Sequence, residues 1–286
     1  MTTRVGIVGL GNMGAALAAN LVESGLDVTA FDLRGAERAP AGARWAEDVD
    51  ALVDAAELVV LSLPDGAASL AVAKQIAQAR SRRARVVVDT STIGLAAARA
   101  VADVLEAAGL DYVDAPVSGG PAGARARTLA VMYAGSDAAC AAAEPALAGL
   151  SDARTRVGDR PGLGQAMKLA NNFLSATALA ATSEALTFGT ANGLDPATMI
   201  AVLNASSGRN SATDDKFPNH VLTGRYASGF AAALMAKDVG LYLEAARETG
   251  GSTELGDPVV ALWRRFGVAE PDADFTRIHP FVAGKG

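Results

Sequence analysis

Gly6-Ile7-Val8-Gly9-Leu10-Gly11-Asn12-Met13-Gly14 is the stretch whose reading decides the fold. An apolar run, Val5–Val8, leads into it, and an amphipathic pattern, Asn12–Glu23, leads out of it. Met13, Leu17 and Leu21 recur at steps of four, which predicts one apolar helical face. A glycine-rich turn between a strand and a helix has a specific use. Gly9 permits the tight turn, Gly11 lets another group approach the backbone, and Gly14 lets helix and strand pack closely. The opening residues of the helix, Asn12 and Met13, then present free N–H groups to an anion. Eighteen residues after Gly14, at the end of the next apolar run, stands Asp32, whose carboxylate can accept hydrogen bonds from ribose hydroxyls. Together these predict a dinucleotide site. Asp32 favours NAD over NADP, because it would repel a 2′-phosphate; Arg34, two residues on, keeps NADP possible.

The pattern continues outward. Apolar runs at Val28–Phe31, Leu58–Leu63, Val86–Asp89, Tyr112–Asp114, Leu129–Tyr133 and Thr155–Val157 alternate with helical patterns at Glu47–Ala55, Ala67–Ala79, Leu95–Ala108 and Asp137–Gly149. Such alternation predicts an α/β, doubly wound, Rossmann-type sheet over residues 1–160. Gly158-Asp-Arg-Pro-Gly-Leu-Gly164 is a cluster of breakers, and no convincing strand follows it. Residues 161–286 read as an all-helical substrate and oligomerisation domain. It starts with one long interdomain helix, Gln165 to about Asn192, followed by Pro196–Asn204, Leu234–Glu248 and Pro258–Phe266. The long helix is rich in small residues, which implies crowding on most sides and self-association, with the number of subunits left open.

Composition narrows the function. Half of the 286 residues are apolar and the net charge is −6. A sizeable core is available, and neither nucleic acid nor an anionic membrane is an expected partner. With one cysteine, Cys140, and two histidines far apart, neither a disulfide nor a Cys/His metal site is expected. No run reaches the ~18 apolar residues of a membrane span. Val5–Val22 holds four glycines and two asparagines, so it reads as strand, turn and helix rather than as a signal peptide. A cytoplasmic location is the expectation.

If a nicotinamide exchanges hydride with an alcohol, a base must take the hydroxyl proton. Lys168 and Asn172 are four apart at the start of the long helix, with Ser175 a turn on and Asn171 alongside. This polar stripe is a solvated face, a helix-bundle hydrogen bond or a site, and spacing does not choose between them. A lysine serves as acid/base when burial or neighbours bring its pKa toward neutrality. Asp114-Ala-Pro-Val-Ser118-Gly119-Gly120 and Asp89-Thr90-Ser91-Thr92 lie at strand ends, where open α/β sheets place ligands. For the first, a plain turn is an equal reading. Lys237-Asp238 interrupts an apolar helical pattern, and an exposed ion pair is the ordinary explanation.

Taken together, these segments resemble the β-hydroxyacid dehydrogenase family, which includes 3-hydroxyisobutyrate dehydrogenase and tartronate semialdehyde reductase. The resemblance spans nearly the whole chain. It rests on Gly6–Gly14, on Asp114–Gly120, on Gly164-Gln-Ala-Met-Lys168-Leu-Ala-Asn-Asn172 and on Lys237-Asp238, in that order. It implies a hydride transfer between NAD(P) and a small carboxylate substrate bearing a β-hydroxyl. Lys168 would be the general acid/base, and Asn172 would orient substrate. Ser118, Gly119 and Gly120 would bind the carboxylate. Thr92 and Lys237 would contact the cofactor near the nicotinamide, with Lys237 closing over the cleft. The chain departs from the family at Arg127, where a glycine usually precedes Thr-Leu. Arg127 would be strained if its φ is positive, and would read a second anionic group if it faces the substrate; Arg209 is another candidate for such a group. Alternatives are an imine reductase-like enzyme, which usually lacks the lysine, and a non-catalytic NAD-binding scaffold or sensor.

Overall fold

The computed structural model describes residues 2–284. The chain divides into two compact units, Met1–Lys168 and Leu169–Gly286. In the first unit β1 (Arg4–Val8) runs through the glycine turn into α1 (Asn12–Glu23). There follow β2 (Asp27–Phe31), β3 (Arg44–Trp45), α2 (Val49–Ala55), β4 (Leu58–Leu61), α3 (Gly66–Gln78), β5 (Val86–Asp89), α4 (Leu95–Ala107) and β6 (Asp111–Asp114). The unit continues with β7 (Val117–Ser118), α5 (Gly120–Arg125), β8 (Ala130–Ala134), α6 (Asp137–Leu150) and β9 (Arg154–Gly158).

The strands form one sheet in the order β3-β2-β1-β4-β5-β6-β8-β7, with β9 beside β8. From β3 to β6 all pairs are parallel. β8 then reverses direction against both β6 and β7. Parallel strands need both faces covered, and β1, β4 and β5 are accordingly Val/Ile/Leu-rich and buried throughout except at Arg4. One face packs on α1 and α6 through Leu17, Leu21, Ala143 and Leu147. The other packs on α2, α3 and α4 through Leu52, Ile76, Val101 and Leu105. The chain order turns back between β1 and β4, so the loops after these two strands diverge. That is where such a sheet leaves a crevice for ligand.

The long helix α7 (Leu163–Ala191) begins in the first unit and continues through the second. The second unit adds α8 (Pro196–Asn204), a π-helical stretch (Ala212–Val221), α9 (Ala232–Glu248), α10 (Gly256–Ala269) and α11 (Ile278–Val282). Its core is aromatic: Phe217, Trp263, Phe266 and Phe275 are all buried. The indole N–H of Trp263 donates to the Ala176 carbonyl (3.3 Å), which satisfies a polar group that burial would otherwise strand. After Gly158 the only extended pairing among the described residues is a single bridge, Ala231 with Asp274.

Candidate active site

The glycine turn is built by close backbone approach. Gly9 has φ +95° and donates its N–H to Phe31 O (2.9 Å), joining the ends of β1 and β2. A Cβ on Gly9 would lie 2.3 Å from Ser62 O, and one on Gly14 only 2.0 Å from Gly9 O. Both positions therefore require glycine. A Cβ on Gly11 would meet nothing within 4 Å, so space lies open before the helix. The N-cap of α1 is Gly11 itself, and no side chain caps the first turn. The N–H groups of that turn thus keep their capacity for an anion. Asn12 is exposed and Met13 half-buried at the helix opening; the Arg38 guanidinium donates to Asn12 Oδ1 (3.3 Å).

Asp32 stands at the rim of the turn. Its Oδ2 accepts from Leu10 N (2.6 Å) and its Oδ1 from Arg34 N (2.8 Å). The carboxylate thus holds the glycine turn in shape and remains half-exposed. A close-fitting turn, an open approach at Gly11, an uncapped helix start and a carboxylate beyond fit a pyrophosphate and its ribose.

Two carboxylates end neighbouring strands. Asp89 and Asp114 are register partners on β5 and β6, and both are buried. Asp114 Oδ2 accepts from Gln165 N (2.8 Å), and the carboxylate also takes a backbone hydrogen bond from Gly162. It therefore serves α7 as a cap supplied from the sheet. Burial is the main influence on its carboxyl and, with Asp89 adding to it against three backbone hydrogen bonds, raises the pKa to about 7. Asp89 is pushed up by burial and held back by hydrogen bonds from Ser91. The Tyr112 hydroxyl, on the same face, is raised well above its ordinary value by burial and by both carboxylates.

Gln165 is fully buried and ties two segments together. Its Oε1 accepts from Ile93 N (2.9 Å) and Gly94 N (3.1 Å), and its Nε2 donates to Ser91 O (3.0 Å). The turn containing Thr92 is thereby fastened to the first turn of α7. Gly164 lets the helix seat this closely, since a Cβ there would be 2.7 Å from Met132 O and 2.8 Å from Asp114 O. Lys168 follows one turn on and is only 6% exposed. Ser118 ends β7, and the chain turns through Gly119 (φ +129°) and Gly120 (φ +64°) into α5. In the first unit these elements all meet one edge of the sheet.

In the second unit Asn172, next on the Lys168 face of α7, is buried. Its Nδ2 donates to Asp238 Oδ2 (2.7 Å), while its Oδ1 accepts from Asn171 Nδ2 (3.1 Å). Asp238 on α9 is itself buried, and its Oδ1 lies 3.3 Å from Lys237 Nζ. An exposed ion pair was the ordinary expectation for Lys237-Asp238. Instead the carboxylate is buried, because it orients an amide on a neighbouring helix.

Gln165 and Asp238 stand inside the sequence motifs, and spacing alone gives neither a role. The signal in each case was a polar residue inside an apolar helical pattern. Arg127 has a positive φ, +57°, the strained conformation. Its guanidinium, however, donates to Gly149 O (2.8 Å), Ala148 O (2.9 Å) and Ser24 Oγ (2.9 Å) at the ends of α6 and α1. It is a clasp between two helix C-termini. Arg209 is exposed and paired with Asp214 (2.9 Å). Cys140 is buried, its thiol held near Gly135 O (3.4 Å) and raised by burial.

This glycine turn and strand order define a dinucleotide-binding protein of the Rossmann type. Comparison with known proteins narrows the class. Residues 4–158 match the family model described as the NAD binding domain of 6-phosphogluconate dehydrogenase. Residues 162–281 match that described as NAD-binding of NADP-dependent 3-hydroxyisobutyrate dehydrogenase. The chain is 37% identical to a 3-hydroxyisobutyrate dehydrogenase of Pseudomonas aeruginosa, covering 99% of both. It is 37% identical to a 2-(hydroxymethyl)glutarate dehydrogenase of Eubacterium barkeri, over 86% of this chain and 83% of the other. A solved Mycobacterium tuberculosis 3-hydroxyisobutyrate dehydrogenase with L-serine superposes with a TM-score of 0.90 at 32% identity, covering 99% of each chain. The chain belongs to the 3-hydroxyisobutyrate dehydrogenase family. Imine reductase structures lie further off, at 24% identity or less, a likeness of fold alone.

Proposed function

We propose that this protein reversibly oxidises a small β-hydroxy acid, with NAD as the preferred cofactor and Lys168 as the general acid/base. The observation that carries the reading is the buried Lys168, one turn into a helix whose start is fastened to the sheet edge by Asp114 and Gln165. NAD, when bound, supplies the hydride acceptor. Gly9, Gly11, Asn12, Met13 and Gly14 would hold its pyrophosphate, Asp32 the adenosine ribose, and Thr92 and Lys237 the nicotinamide end. Ser118 and the N–H groups of Gly119 and Gly120 bind the substrate carboxylate. Lys168 Nζ takes the proton of the β-hydroxyl during oxidation and returns it to the carbonyl oxygen during reduction. Asn172 orients the substrate, its own amide fixed by Asp238.

The relatives support the substrate class. 3-Hydroxyisobutyrate, 2-(hydroxymethyl)glutarate and serine all carry a hydroxyl on the carbon β to a carboxylate. We assign residues 1–160 to nucleotide binding and 161–286 to substrate binding and self-association. Exposed Leu174, Phe188 and Val202 on α7 and α8 support a homodimer or homotetramer. No helix among the described residues is long and apolar enough to cross a membrane, and we place the protein in the cytoplasm.

The test is absorbance at 340 nm against a panel of β-hydroxy acids and their semialdehydes, with NAD and NADP in parallel. Turnover should be found, faster with NAD. Lys168→Ala should lower kcat by at least ~1,000-fold, about 4 kcal/mol in the barrier, while NADH binding changes little. A Lys168→Ala variant that keeps most of its kcat refutes the assignment. Tight NAD binding with no turnover across the panel points instead to a sensor.

A further inference from the structure

We propose that Gln165 is a positioning residue for this reaction, holding Lys168 in register with the Thr92 turn. The inference rests on the reading of Lys168 just given. Its basis is geometric. Ile93 N and Gly94 N lie at the entry to α4, whose N-cap is Gly94. Gln165 Oε1 accepts from both, and its Nε2 donates to Ser91 O. One amide thus uses its acceptor and its donor on three backbone groups that bracket Thr92. The residue is fully buried, so water cannot replace it. Its own N–H is held by Asp114, which fixes the base of the side chain as well as its tip. Lys168 lies three residues further along the same helix, hence next to Gln165 on its surface. A shift of the Ser91–Gly94 turn relative to α7 therefore becomes a shift of Thr92 relative to Lys168.

The chemistry of the amide makes a test possible. Glu is isosteric with Gln. One carboxylate oxygen can still accept from Ile93 N and Gly94 N. The other faces Ser91 O and repels it when ionised, but donates to it when protonated. Gln165→Glu is therefore expected to be active in its protonated form. Its kcat should approach wild type at the acid end of the accessible range and fall as pH rises through the ionisation of the new carboxyl. Wild type should show no such fall. Gln165→Leu should lose about tenfold to a hundredfold in kcat at every pH, with the dissociation constant of NADH, read by fluorescence titration, moved less than about threefold. Melting temperatures of both variants identify any loss that is merely unfolding.

Lys168→Ala is assayed alongside. If it is inactive while Gln165→Leu keeps kcat within about twofold, the positioning role is wrong and the reading of Lys168 stands. If Lys168→Ala retains turnover, the reading of Lys168 fails first. Should Gln165→Leu not fold, the Gln165→Glu profile decides alone, and a profile parallel to wild type overturns the proposal.

Discussion

Arg127 offers a prediction with two opposing terms. Its φ of +57° is unfavourable for any residue with a Cβ, by roughly 1–2 kcal/mol. Against this, its guanidinium makes three hydrogen bonds of 2.8–2.9 Å, two of them to carbonyls in the last turn of α6. Those carbonyls have no intrahelical partner, and a cation there also opposes the helix dipole. At about 1 kcal/mol for each bond, the clasp contributes about 3 kcal/mol. Arg127→Ala removes the clasp and keeps the strain, so it should cost about 3 kcal/mol. Arg127→Gly removes both. The relief of strain is partly offset by roughly 0.4–1 kcal/mol of glycine's extra freedom in the unfolded chain. The glycine variant should therefore be the more stable of the two, by somewhat under 1 kcal/mol. Urea unfolding followed by far-UV circular dichroism measures the order. KM for the substrate should be unchanged in both. If glycine unfolds at the same or lower urea than alanine, the strain argument is wrong. If KM rises tenfold in folded protein, the guanidinium reaches substrate and the clasp is not its role.

Two further outcomes follow from the surroundings of Asp114 and Gly14. Asp114 is held near pKa 7 in the folded protein but titrates near ~3.9 when unfolded, so between these values the folded state binds the extra proton. Stability must then fall as pH rises through this window, by up to about 4 kcal/mol, and level off above it. Asp114→Asn keeps an acceptor for Gln165 N without ionising. Its stability, from urea midpoints between pH 5 and 7.5, should fall less than wild type; equal slopes would show that Asp114 does not titrate there. Gly14→Ala sets a methyl 2.0 Å from Gly9 O and must push α1 off the turn. Loss of ~1–3 kcal/mol and of at least about tenfold in NADH affinity is expected, and wild-type affinity would contradict the close-approach role of that glycine.

Most of the fold is legible because its signals are local. Asn12–Glu23, Val86–Asp89 and Pro196–Asn204 follow the periodicity residue for residue. Several strand ends extend by one residue where a neighbour supplies the pairing, as at Arg4 opposite Asp27, while β4 stops two residues short of its apolar run and β8 starts one residue late. The elements that escaped are short. β3 and β7 have two residues each, too few to show alternation, and exist because β2 and β8 offer open edges. α5 is six residues long and starts Gly-Pro, which reads as a turn. The π-helical stretch contains Asp214, Asp215 and Pro218 with little apolar period, and is formed by packing Phe217 and Val221 into the aromatic core.

The site was legible as positions and opaque as bonds. GxGxxG followed by Asp32 is read from spacing because backbone geometry alone demands it. The polar stripe of α7 was equally visible, but whether it faced water depended on partners far away in sequence. Gln165 bonds residues 71–74 positions earlier. Asn172 bonds one 66 positions later. Asp114 caps a helix that starts some fifty residues on. A helix normally carries its own cap within a few residues of its start, and α7 takes one from β6 instead. The consequence is mechanical. An internal cap would fix only where the helix begins, whereas a cap at a strand end fixes where it begins relative to the sheet. On the proposed role of Lys168 as acid/base, that residue most needs such placement, since a misplacement of about 1 Å can cost about a hundredfold in rate. The buried Asp114 carboxyl, costly in itself, is retained for the register it imposes.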